Sequence, residues 1–123
     1  MAKIFIMISS ISGAIAVSLG AFGAHGLQSF LEKHNRIETF DTAVKYHFYH
    51  TLALLAVGII LLFQEQKFLI WSGHLFTAGI IIFSGSLYLL CFLNQPKLGA
   101  ITPIGGLALI AAWVMMAIGS LKL

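Results

Sequence analysis

Gly20-Ala21-Phe22-Gly23-Ala24-His25-Gly26-Leu27 lies near the end of a run that carries no charged residue from Ile4 to Leu31. Three glycines and two alanines within eight residues leave the backbone bare, so neighbouring helices can approach closely. One histidine stands among them, after about 20 apolar residues, the number needed to cross a ~30 Å hydrocarbon layer. Lys3 followed by an apolar run and small residues superficially resembles a signal peptide. The run from Ile4 to Ala24 is too long for the 7–15-residue core of one. It reads as a retained membrane span whose far end is this glycine-rich corner.

Composition agrees with that reading along the whole chain. Hydrophobic residues make up 59% of the 123 positions and charged residues only 9%, with mean hydropathy +0.98. Soluble domains carry about a quarter charged residues. The charges cluster and leave four uncharged windows, 4–31, 46–64, 68–96 and 98–121. Each is long enough for one crossing and none for two. The expected fold is an all-α membrane protein, a four-transmembrane-helix up-down bundle. Its spans fall at about 4–24, 46–63, 68–93 and 103–121 in a single domain covering 1–123.

The formal net charge of +3 does not indicate nucleic acid, because the seven basic residues are scattered without a stripe that could track phosphates. They read as interfacial anchors. The single cysteine, Cys91, lies within the third window and is expected to pack as a small apolar side chain.

In the first span, Ser9, Gly13, Ala16, Gly20 and Ala24 recur at spacings of three and four, giving one helix face of small residues suited to close packing. Gly23 joins the corner that follows. Leu27, Phe30 and Leu31 then share a face opposite Gln28, Glu32 and Lys33, which predicts a short interfacial helix after the first span. Asp41 and Lys45 stand four apart and can pair ahead of the second span. Near the fourth span, Thr102 can cap and Pro103 can occupy the first helical position. Gly105, Ala108, Ala112, Met115 and Gly119 supply a second small-residue seam.

Alternating spans bring the end of the first, the start of the second, the end of the third and the start of the fourth to one membrane face. That face receives His25, Tyr46, His47, Tyr49, His50, Ser84, Ser86, Tyr88, Cys91 and Thr102. Tyr46, Tyr49, His50 and Ala53 follow an i, i+3, i+4, i+7 pattern and define a face that can turn inward. Intramembrane histidines are functional candidates by default. The ligand-binding candidates are therefore His25, Tyr46, Tyr49, His50, Ser84, Ser86 and Tyr88. Interhelical hydrogen bonding and an aromatic belt are the competing structural explanation. A metal or haem held by His25, His47 or His50 is a third, with no carboxylate or thiolate at similar depth to join it. No span contains an acidic residue, so carboxylate acid–base chemistry has no footing in the core.

Four strings carry a resemblance. They are Gly20 to Leu27, Tyr46 to Leu54, Phe83-Ser84-Gly85-Ser86-Leu87-Tyr88, and Leu98-Gly99-Ala100-Ile101-Thr102-Pro103-Ile104-Gly105-Gly106. In this order they resemble a family of small bacterial membrane proteins, the domain-of-unknown-function family four-two-three, across nearly the whole chain. The family pattern reads Tyr-x-x-Tyr-His, and His47 lies outside it, which leaves His25 and His50 as the stronger histidine candidates. The resemblance implies a multi-pass protein of the bacterial cytoplasmic (inner) membrane and brings no activity with it.

The leading expectation is a non-enzymatic membrane protein acting through helix packing, as a homo-oligomer or as an accessory to a larger complex. The alternative is a pocket that binds or transports a small molecule or lipid; the third is a haem or metal protein. No cofactor, catalytic residue or metal ligand is assigned, and the expected partners are the lipid bilayer and a second copy or a larger membrane complex. Orientation is not set, because Lys33, Arg36, Lys45 and Lys97 on one face balance Lys3, Lys67 and Lys122 on the other.

Overall fold

The computed structural model describes all residues from Met1 to Leu123. Four long helices, α1 (Ala2–Ala24), α3 (Ile37–Phe63), α4 (Lys67–Leu93) and α5 (Thr102–Leu121), are each long and apolar enough to cross a membrane. A six-residue helix, α2 (Gln28–Lys33), follows α1 as anticipated, with Leu31 buried beneath it. A 3-10 turn, Pro96–Ala100, leads into α5.

The connections are fixed by local chemistry. Asn35 (φ 55°) and Asn94 (φ 51°) are the two non-glycine residues with positive φ, and each stops a helix in the left-handed conformation that asparagine tolerates. Arg36 Nε and Nη2 both donate to Asn94 Oδ1, at 3.3 and 3.2 Å, tying the start of α3 to the end of α4. At the opposite end the three-residue turn Gln64–Gln66 is closed by Gln66, whose side-chain oxygen accepts from the Leu69 amide at 3.0 Å. Thr102 departs from expectation. It does not cap α5, because its Oγ1 bonds Ser86 Oγ across the α4–α5 contact at 2.6 Å.

The helix that carries the second span begins earlier than the charge-free window suggests. α3 runs helically from Ile37 through Glu38, Asp41 and Lys45, because these charges all sit on exposed positions and the Asp41–Lys45 pair closes at 2.9 Å along the surface. Its 27 residues span about 40 Å, more than a ~30 Å hydrocarbon layer, so the charged first turns can project from it.

The helices pack in chain order, α1 on α3, α3 on α4 and α4 on α5. Both small-residue seams are used for this. On α1, Ser9 and Ala16 are buried, Gly13 meets the Thr51 methyl at 3.7 Å, Gly20 admits Val44, and Gly23 takes the Phe40 ring. Ala24 is exposed, because the seam turns onto Gly23 at its last step. On α5, Gly105 lies against the Phe83 backbone, Ala112 is fully buried, and Ala108 is half-buried at the margin. Both seams are therefore occupied largely by packing within the chain. The apolar core falls into two parts. One around Phe5, Leu54, Val57, Leu69, Phe76 and Leu109 lies towards the chain termini. The other, around Leu31, Phe40, Leu87 and Cys91, lies towards α2.

Candidate functional site

Between the two apolar clusters lies a polar layer. Ser12 of α1, His47 and Thr51 of α3 and Ser84 of α4 are all buried, and Tyr88 of α4 reaches into the layer from the cluster nearer α2. His47, 5% exposed, is its centre: Nε2 is hydrogen-bonded to Ser12 Oγ at 2.9 Å and Nδ1 to Tyr88 Oη at 2.8 Å. Ser12 Oγ also shares a 2.6 Å hydrogen bond with Thr51 Oγ1. Tyr88, His47, Ser12 and Thr51 thus form one continuous chain across three helices. A neutral imidazole completes it in either direction, one ring nitrogen donating and the other accepting. Ser84 Oγ donates separately to the Ala43 carbonyl at 2.8 Å, and Ser72 Oγ to the Ala112 carbonyl at 2.7 Å.

The depth of the layer follows from the basic residues at one end. Ser12 lies nine residues beyond Lys3 on α1, and Trp113 nine before Lys122 on α5, each about 14 Å along its helix axis. The polar layer therefore lies well inside the bundle as measured from that end, while on α3 His47 stands two residues from the exposed Lys45; between the helices its hydroxyls and imidazole depend on one another for hydrogen bonds. No enclosed side-chain nitrogen or oxygen in the chain lacks a partner.

The seven ligand-binding candidates do not share a cavity. His25 is exposed at the end of α1, beyond the last helical residue. Tyr46 and Tyr49 are 41% and 56% exposed and turn outwards from α3. The inward face is rotated by about one residue, to Phe40, Ala43, His47, Thr51 and Leu54, because these positions meet the small residues of α1. His50 is buried but faces away from His47, its Nδ1–H donating to the Tyr46 carbonyl at 2.7 Å and its ring lying against Phe76 and Trp113. Ser86 is spent on Thr102 and on the Phe83 carbonyl. Ser84 and Tyr88 do line the same space. His25, His47 and His50 point in three directions, and no three His, Cys, Asp or Glu side chains gather closely enough to hold a metal ion.

Ser12 and Thr51 are central residues that the sequence analysis did not single out, and His47, set aside there as lying outside the family pattern, is the hub of the layer. The signal was present: Ala43, His47, Thr51, Leu54 and Gly58 recur at helical spacing, opposite the Ser9–Ser12–Ala16 stripe. Outside the layer, α1 and α4 diverge above their contact at Phe5 and Gly73 and leave a groove of about 410 Å³ open to the side. Ile8, Ile11, Ile15, Leu19, Ile80 and Ile81 form its walls, and Ser12, His47, Ser84 and Tyr88 its floor. The floor hydroxyls and imidazole are engaged with one another or with backbone, so the groove presents an almost wholly hydrocarbon surface.

Comparison with known proteins gives the chain its relatives. Residues 19–106 match the family model described as protein of unknown function (DUF423). The chain is 43% identical to the UPF0382 membrane protein SAB0533 of Staphylococcus aureus, over 98% of this chain and 97% of that one. It is 41% identical to the UPF0382 membrane protein YwdK of Bacillus subtilis, over 98% of each chain. A Haemophilus influenzae UPF0382 membrane protein is 40% identical, over 96% of this chain and 94% of its own length. No solved structure matches the chain significantly. With four membrane-spanning helices and these bacterial relatives, this is a multi-pass protein of the bacterial cytoplasmic membrane, and it belongs to the DUF423 family, whose molecular activity is unknown.

Proposed function

We propose that the protein is non-enzymatic and acts by association in the plane of the bilayer, with itself or as an accessory to a larger membrane complex. The observation that carries this reading is the closure of its polar interior. Every enclosed polar side-chain atom is already hydrogen-bonded within the chain, and all four carboxylates lie on exposed or half-exposed positions of α2, the start of α3 or the Gln64–Gln66 turn. Such an interior orients helices and leaves the outer surface to do the work. Photo-crosslinkers placed at the lipid-facing positions Ile11, Ile81 and Ile110 in native membranes test this. Discrete protein adducts at one or more positions are expected; lipid adducts alone at all three would overturn the reading.

The groove between α1 and α4 supports a second reading, capture of a single hydrocarbon chain, since its volume falls within the range of ligand sites. Gly85, on the groove wall, has no atom within 4 Å of the position its Cβ would take, so Gly85→Phe fills the groove. Co-purifying lipid, read by native mass spectrometry, should fall in that variant. Unchanged retention would remove this reading.

A further inference from the structure

The face opposite the groove holds two polar groups that the chain itself leaves unmatched. His50 is only 7% exposed, and its Nδ1–H is committed to the Tyr46 carbonyl. With the proton on Nδ1, Nε2 of the uncharged ring is a hydrogen-bond acceptor. Nε2 has no partner in the chain, and because no wholly enclosed polar atom is unpartnered, it keeps access to the lipid-facing surface. Beside it stands Trp113 of α5, 47% exposed, whose indole N–H donates to nothing in the chain. The two rings meet edge to face, with centroids 5.9 Å apart at 66°, and no hydrogen bond joins them.

This arrangement is costly at its depth. Tryptophan favours the membrane interface, yet Trp113 is about 12 Å from the nearer end of α5, close to the middle of its span. Hydrocarbon offers neither a donor for Nε2 nor an acceptor for the indole, and lipid headgroups do not reach that level. An occupant of this face must therefore bring both. A second copy related by a two-fold axis does so by construction, because each chain carries one free acceptor and one free donor at the same height.

We propose that two copies of the chain meet through the α3–α5 face, with His50 Nε2 of each accepting from the Trp113 N–H of the other. The proposal rests on the in-plane association reading above and names its partner and its surface. Tyr46 and Phe83, stacked at 4.8 Å beside His50, extend the contact as an aromatic flank.

The full-length chain in liposomes provides the test. A single cysteine at Ile110, one turn from Trp113 and 61% exposed, in a Cys91→Ser background, should give a covalent dimer with a short bifunctional maleimide. One at Ile11, on the groove side, should not. Association measured by energy transfer should weaken about ten-fold in either His50→Phe or Trp113→Phe, since each removes both reciprocal bonds. Mixing the two variants restores one bond, so the mixed dimer should be about three-fold tighter than either variant alone. That rescue requires a bond between chains. Absence of an Ile110 dimer, equal dimer yields at Ile110 and Ile11, or no rescue on mixing would overturn the proposal. If Ile110 captures only other proteins, this inference fails while in-plane association stands; if no lipid-facing position captures any protein, both fail.

Discussion

Replacing His47 by leucine removes the side chain on which the polar layer turns, and the structure gives the size of the effect. Two interhelical hydrogen bonds are lost, to Ser12 at 2.9 Å and to Tyr88 at 2.8 Å, each worth on average about 0.6 kcal/mol within a membrane. Ser12 keeps its bond to Thr51, but the Tyr88 hydroxyl loses its only partner in a buried setting, at a cost of about 1–3 kcal/mol. The expected loss is therefore about 2–4 kcal/mol of folding stability. Tyr88→Phe alone removes one bond and leaves Nδ1 unpaired, for about 1–3 kcal/mol. Because His47→Leu and Tyr88→Phe orphan each other's partner, the double variant should lose about 1 kcal/mol less than the sum of the two. Steric-trap unfolding in bicelles, with helix content followed by circular dichroism, measures all four corners of this cycle. A His47→Leu loss below ~0.5 kcal/mol, or strict additivity in the double variant, would refute the claim that the layer is one connected unit.

Two glycines offer a contrast in the same assay. A Cβ on Gly105 would lie 2.7 Å from Phe83 Cα, where backbone cannot yield, so Gly105→Ala should cost about 1–3 kcal/mol. Gly85→Ala meets nothing within 4 Å and should be neutral or gain up to ~1 kcal/mol from helix propensity. Asp41→Asn should change stability by no more than about 1 kcal/mol, since both members of the Asp41–Lys45 pair are more than half exposed. Arg36→Ala frees Asn94, and hydrogen exchange should rise at residues 94–101 with little change in α1; uniform protection there would show that the Arg36–Asn94 clamp does not hold the turn.

Four charge-free windows and the thickness of a bilayer were sufficient to determine the four crossings, because burying charge in hydrocarbon is so unfavourable that sequence alone locates the spans. The interfacial helix and the small-residue stripes were legible for a similar reason: both are periodic patterns within one segment. Which residues meet across segments was not. Tyr46, Tyr49 and His50 looked like one inward face, yet two turn outwards and the third faces α5, because the rotation of α3 is set by the bare stripe of α1 against which it packs. That same rotation carries His47 into contact with Ser12 and Tyr88, 35 and 41 positions away in the chain, pairings that no local spacing encodes. Depth, likewise, depended on the fold. Charges on exposed positions of α3 let the helix begin at Ile37, which places His47 and His50 within a continuous helix rather than at its first turn.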